Sequence, residues 1–185
     1  MKEYNFFVSS LAKDNADRVF LNSDEEHALI VLVNLFRQAK ETVRIFAACL
    51  CEHIGNKPEY IVAISEFIER GGKVRMLLNK FDENLVSNSN LFKRLAYYAY
   101  EGADIQIKRT LAHPFLSKDP QRKEVHFTVI DETGYRIETD IEKRTAECNF
   151  NNPTLSKGLV SFFDRIFNAN ESVSIDLNAL FNGTK

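Results

Sequence analysis

Cysteine is scarce in this sequence: three residues in 185, an odd number, with Cys49 and Cys51 two apart and Cys148 far away. That spacing fits neither a disulfide framework nor a zinc site, so the reducing cytoplasm is the expected compartment. Glycine is thin as well. Its seven residues are scattered, and no glycine-rich phosphate loop or nucleophile elbow appears. Long apolar runs are missing: the longest, around Ala28 to Phe36, falls far short of the roughly 20 residues that a membrane-spanning helix needs. The opening MKEYNFFVSS carries Glu3 and lacks the apolar core and small-residue cleavage site of a signal peptide. Neither a leader nor a membrane anchor is expected. An excess of one charge is also absent, since 24 basic residues stand against 26 acidic ones, and the whole chain exerts no general pull on nucleic acid or membrane.

What is present describes an ordinary globule, 44% hydrophobic and 27% charged, long enough for one buried core. We expect one domain over residues 1–170 and a polar C-terminal tail over 171–185. Charge is distributed unevenly along it. Residues 1–69 hold 7 basic and 11 acidic side chains, residues 70–123 hold 11 and 5, and residues 124–185 hold 6 and 10. The basic middle third includes Arg75, Lys80, Lys93, Arg94, Lys108, Arg109, Lys118, Arg122 and Lys123, several of them just after apolar runs where strands would end. It reads either as a solvated face or as a rim that attracts phosphate.

Strands and helices alternate in the pattern. RVFLN at Arg18–Asn22 is a short strand, and Ser23 with Glu26 forms a capping box for a helix to about Lys40. Strands are expected at 42–51, 73–78, 103–108, 125–130 and 135–139, with another near Ala146 to Phe150. Helices are expected near 24–40, 58–70, 90–100 and 153–168. Pro58 and Pro153 suit the first helical position, and Gly71-Gly72 and Gly102 end helices. Asp131-Glu132-Thr133-Gly134 reads as a hairpin with glycine at the turn. Residues 110–123 hold two prolines and no period, and form a long loop of the kind that often carries function. The β-α-β-α-β rhythm implies an α/β fold with a mixed, mainly parallel sheet flanked by helices.

Two stretches resemble a known family. From Lys40 to Leu78 a strand, a helix ending Glu69-Arg70-Gly71-Gly72 and the strand Lys73-Val74-Arg75-Met76-Leu77-Leu78 look like the first half of a phospholipase D-like domain. Glu124-Val125-His126-Phe127-Thr128-Val129-Ile130-Asp131, a hairpin, a strand and a helix with Phe162-Phe163-Asp164-Arg165-Ile166-Phe167 look like its second half. That family's motif is histidine, any residue, lysine, four residues, aspartate. Residues two apart on a strand share a face, so histidine and lysine enter one pocket, the first as nucleophile toward phosphorus and the second as a cation for the anionic oxygens. Here Glu124 stands at the histidine position, His126 at the lysine position, and Asp131 matches. Thr139 falls where the family has serine and Ile141 where it has asparagine.

The resemblance implies a phospholipase D-like fold in which Glu124, His126, Asp131 and Thr139 occupy the catalytic positions. Lys80, Lys108, Arg109, Arg122 and Lys123 are the expected phosphodiester-binding residues. A carboxylate in the nucleophile's place repels a phosphodiester, so the reading leans away from an enzyme and toward a non-catalytic module that binds nucleic acid, another phosphodiester or a partner protein. A divergent phosphodiesterase or nuclease active as a homodimer is an alternative, and so is a structural or immunity-type interaction protein. His126 acting as nucleophile with Glu124 orienting it belongs to the second class. No cofactor and no metal are implied. His113 in the loop, His27 and His53 read as solvated or structural, Cys49 and Cys51 as small hydrophobes on one face of a strand, and Phe6, Phe7, Tyr97, Tyr98 and Tyr100 as core or interface.

Overall fold

Helix α1 runs over Lys2–Lys13, strand β1 over Phe20–Asn22 and helix α2 over Glu25–Gln38 in the computed structural model, which describes residues 1–117 and 119–182, Asn182 as backbone only. The N-cap of α2 is Asp24, whose carboxylate accepts from the His27 amide at 2.8 Å. The expected capping box at Ser23 is therefore shifted by one residue. An aspartate serves equally well as a cap and adds a negative charge beside the positive helix end, while the Ser23 hydroxyl bonds His27 Nδ1 instead, at 2.9 Å. The buried stripe of α2, Ala28, Val31, Leu32, Leu35 and Phe36, has the spacing of one helix face.

Next come β2 (Thr42–Ala47), α3 (Pro58–Glu69), β3 (Lys73–Leu78), α4 (Glu83–Asn88), α5 (Asn90–Tyr100) and β4 (Ile105–Arg109). Pro58 opens α3, and Gly71, at φ +85, supplies the left-handed residue that ends it. The remaining elements are β5 (His126–Ile130), β6 (Gly134–Asp140), β7 (Thr145–Asn149), α6 (Pro153–Phe167), β8 (Val173–Ser174) and α7 (Leu177–Asn182). Asn152 caps α6 by accepting from the Leu155 amide at 3.0 Å.

One eight-stranded sheet runs in the order β1-β7-β6-β5-β2-β3-β4-β8. Among the described residues only β2, β3 and β4 pair in parallel. The five other pairings, β1 with β7, β2 with β5, β4 with β8, β5 with β6 and β6 with β7, are antiparallel. The sheet is mixed as expected, but its parallel part is confined to these three strands, because the second half of the chain returns through short turns rather than helical crossovers. Helices α1, α2, α3, α4, α5 and α7 cover one face over a large apolar core. The opposite face is covered by α6, with Val160, Phe163 and Phe167 packed on Phe46, Leu77, Phe127, Val129, Tyr135 and Ile137. Arg44 of β2 pins that helix through a two-pronged pair with Asp164, at 2.8 and 3.1 Å.

Three local expectations are corrected. Strand β2 stops at Ala47 rather than Cys51, where its parallel pairing with β3 ends at Leu78, and Leu50 then turns into the left-handed region at φ 59. Cys49 and Cys51 consequently lie in the following loop, bonded to each other as a disulfide. In the β5–β6 hairpin the left-handed residue is Asp131, at φ 49, and Gly134 already belongs to β6. Aspartate tolerates that conformation, whereas Gly134 sits in a tight spot: an added Cβ would stand 3.1 Å from Ile130 Cγ1 and from the Phe150 carbonyl oxygen, so its neighbours would have to shift by a few tenths of an ångström. Part of the segment expected as a polar tail is ordered, with β8 adding an edge to β4 and α7 packing Leu177 into the core. Residues 183–185 and Lys118 lie outside the described residues. Among the described residues no helix is long and apolar enough to cross a membrane.

Candidate functional site

The C-terminal ends of β2, β3 and β4 and the N-terminal end of β5 lie along one sheet edge, since β5 runs antiparallel to β2 with Phe46 opposite Phe127. Side chains alternate along β5. Phe127 and Val129 enter the core under α6, while His126 and Thr128 turn to the other face. The tight hairpin then sets Glu138 opposite His126 and Arg136 opposite Thr128. Four polar side chains of two adjacent strands thus form one buried patch, each between 3% and 7% exposed.

A continuous polar network runs through this patch. Glu124, just before β5, is held by a backbone bridge to Phe115. Its Oε1 accepts from Asn79 Nδ2 at 2.6 Å and lies 3.3 Å from His126 Nε2, and its Oε2 lies 3.2 Å from His113 Nδ1. The other His126 nitrogen, Nδ1, is 3.6 Å from Glu138 Oε2. Glu138 accepts from Arg136 Nη2 at 3.0 Å and lies 3.7 Å from Arg144 Nη1. Arg136 Nε reaches Asn22 Oδ1 on β1 at 2.9 Å, which ties the network to the far side of the sheet.

Both carboxyls stay below the usual glutamate range. Burial pushes Glu124 up, but hydrogen bonds from Asn79 and His113 and the neighbouring His126 outweigh it. Burial also pushes Glu138 up, and the His126 contact with the Arg136 and Arg144 guanidiniums more than reverses the effect. In contrast, burial pushes the Cys148 thiol up to about 12.

Of the positions expected at the site, only Glu124 and His126 come together. Asp131 sits at the other end of β5, roughly 16 Å from His126 at about 3.3 Å per strand residue. Its carboxylate accepts from the amides of Lys40, Glu41 and Thr42 at 2.9 to 3.0 Å, so it clamps the start of β2. Thr139 is exposed, its hydroxyl near the Thr145 carbonyl, and it points away from Glu138 by the alternation of β6. Among the basic residues, Lys80 and Arg109 are exposed at the ends of β3 and β4. Arg122 and Lys123 are exposed just before β5 at the same edge, with Arg122 over the Phe115 ring. Lys108 is different. Its ammonium donates to the Phe167 carbonyl at 2.7 Å beneath α6.

A cavity of about 220 Å³ opens beside His126, between the sheet and the loop that follows β2. Ile141, Arg144, Tyr60 and the Cys49–Cys51 loop join His126, Thr128, Arg136 and Glu138 in its lining. Sequence reading missed Asn79, Arg136, Glu138, Arg144 and Tyr60. The observed register, with Ile130 opposite Gly134, pairs 126 with 138 and 128 with 136, whereas the four-residue turn expected at 131–134 pairs 126 with 139, so the sequence did not point to Glu138; Tyr60 and Asn79 carry no signal at all. Among the described residues no group of three or more His, Cys, Asp and Glu is placed to hold a metal ion.

No family profile and no curated protein matches this chain. Solved structures do. An archaeal chromatin protein, TrmBL2, whose structure shows a novel mode of DNA binding, is similar with a TM-score of 0.62 and 14% identity over 94% of this chain and 61% of its own. This chain therefore spans about three-fifths of that protein's length. Nuc from Salmonella typhimurium, a phospholipase D family member, is similar with a TM-score of 0.56 and 14% identity over 85% of this chain and 99% of its own. NucT from Helicobacter pylori gives 0.58 and 13% over the same shares. At such identities the likeness establishes architecture, and the chain has a phospholipase D-like α/β fold.

Proposed function

We propose that this protein is a non-catalytic phospholipase D-like module that binds nucleic acid along the sheet edge beside the cavity. The observation that carries this reading is the state of Glu124. A carboxylate fixed by Asn79 and His113, and held below its usual pKa, belongs to the residue that the sequence resemblance aligns with the family's nucleophile. It repels an incoming phosphodiester, and the motif positions for lysine and asparagine are taken by His126 and Ile141. Binding does not need that chemistry. Lys80, Arg109, Arg122 and Lys123 line one edge and remain free to meet phosphates. The likeness to a chromatin protein described as binding DNA supports the same reading.

Anisotropy titrations of labelled DNA and RNA at several salt concentrations test it. Affinity should fall steeply with salt, and replacing Lys80, Arg109, Arg122 or Lys123 by alanine should each lower the log–log slope by about 1. Lys108→Ala should leave the slope unchanged, because its charge is committed beneath α6. Bis-p-nitrophenyl phosphate should not be hydrolysed above background. A second reading rests on His126, whose two ring nitrogens each face a carboxylate. EDTA-resistant cleavage abolished by His126→Ala would establish it and overturn the first.

A further inference from the structure

Strand β2 hands over to a loop that folds back on itself at once. Cys49 and Cys51 lie 5.2 Å apart from Cα to Cα, short of the roughly 7 Å that two extended residue steps would span, and the disulfide joins them across Leu50. Leu50 takes up the bend in the left-handed region, at φ 59, where a bulky side chain is disfavoured. Its carbonyl oxygen fills the space that a side chain at Gly55 would need, since a Cβ there would stand 2.0 Å from it. Asn56 Nδ2 donates to the Cys51 carbonyl at 2.7 Å and fixes the far side of the turn. His53, at φ 51, is a second left-handed residue in the same loop.

A bond of this span is a poor staple. Disulfides stabilise a fold chiefly by closing long loops of the unfolded chain, and a sequence separation of 2 closes almost none. It holds a disfavoured backbone conformation instead, and bonds of that kind are the readily exchanged ones. Access favours one sulfur. Cys49 is half-buried, whereas Cys51 is 3% exposed, and every residue from Ala48 to Ile54 lines the cavity that His126, Arg136 and Glu138 also line. We infer that Cys49–Cys51 is a thiol–disulfide exchange site whose substrate is a dithiol, and that its state sets this wall of the cavity. A thiolate of the dithiol attacks Cys49 Sγ, the bond to Cys51 breaks, and Cys51 leaves as a thiolate that takes up a proton. The second thiol of the same reductant then displaces Cys49 from the mixed disulfide. The reductant ends as its own cyclic disulfide, having given up two electrons, and the protein ends with two thiols. With the ring open, Leu50 is released toward ordinary backbone conformations and the wall over 48–54 loosens.

Alkylation of the native full-length protein by iodoacetamide, read by mass spectrometry with peptide mapping, tests the assignment. After dithiothreitol without denaturant, Cys49 and Cys51 should both be alkylated; after glutathione disulfide, neither should be. Cys148 is buried and should stay unmodified in both states. Leu50→Gly accepts the left-handed bend freely, so in a glutathione mixture that leaves the wild type half reduced its dithiol-to-disulfide ratio should fall by about threefold or more. Hydrogen exchange over amides 48–54 should be faster in the reduced protein and in Cys51→Ser than in the oxidised protein, and the His126 ring resonances should shift in the same direction in both, with circular dichroism unchanged. Reduction only after denaturation would make the bond a structural staple and overturn the proposal. Alkylation of both cysteines after glutathione disulfide overturns it too, as does a Leu50→Gly ratio equal to the wild type's or exchange over 48–54 that ignores the redox state. Neither cysteine belongs to the basic edge, so exchange here and nucleic-acid binding there succeed or fail separately.

Discussion

Glu138 shows what a single buried charge does in this fold. Its side chain is 4% exposed and lies between His126, Arg136 and Arg144, so its negative charge answers more than one cation. Removing it leaves the Arg136 guanidinium buried without a counter-charge. We expect Glu138→Gln to cost roughly 3 kcal/mol at pH 7, measured by urea unfolding. The pH dependence has a defined sign. The folded-state pKa is depressed, so the unfolded chain takes up this proton first as pH falls. The stabilisation is complete above the unfolded value of about 4.3 and is lost as pH falls through the lower folded value. The gap between wild type and Glu138→Gln should therefore close in acid, whereas a gap that persists at low pH would assign the loss to packing. Asp131 illustrates the opposite case. It matches its motif position by sequence, but three backbone amides of the α2–β2 connection claim its carboxylate, and its role is to fasten two distant segments.

At the scale of elements, α6 carries a disproportionate share, because it is the helix that covers the second face of the sheet, with Ala112 and Leu116 of the β4–β5 loop packed beside it. Ser156, Val160, Phe163 and Phe167 recur at helical spacing, and Phe163 sits fully buried against Phe127 and Phe167. Phe163→Ala should destabilise by about 3–5 kcal/mol, with the urea midpoint lowered and the m-value unchanged. Elements of this kind were legible in the sequence. A capping asparagine, a proline at the first helical position and an apolar stripe all name α6, and runs such as Lys73–Leu78 name a buried strand. The unread elements lacked such marks. Helix α1 has no side-chain cap and fully buries only Val8, α4 is a six-residue helix, and β8 is two residues long. The site was half legible for a related reason. Spacing along one strand placed His126, but Glu138 and Arg136 join it across the hairpin, and Asn79 and Tyr60 arrive from other elements altogether.

The whole molecule presents one open sheet whose edges are kept short, three residues in β1 and two in β8, which discourages association edge to edge. Exposed apolar side chains stand instead on the loop between β4 and β5, where Leu111 is 85% and Phe115 44% exposed, flanking His113 and leading into Glu124. A second copy meeting this loop would bring the two β5 strands toward each other and cover side chains that water otherwise surrounds. We expect a homodimer of that kind, burying above about 1,000 Å² in total. Light scattering at tens of micromolar should report twice the monomer mass, and the paired substitution Leu111→Asp, Phe115→Asp should return the monomer with its circular dichroism intact. Both side chains are exposed, so their loss does not disturb either core. A wild-type monomer at that concentration would remove the dimer, and a dimer that survives the paired substitution would move the interface away from the loop.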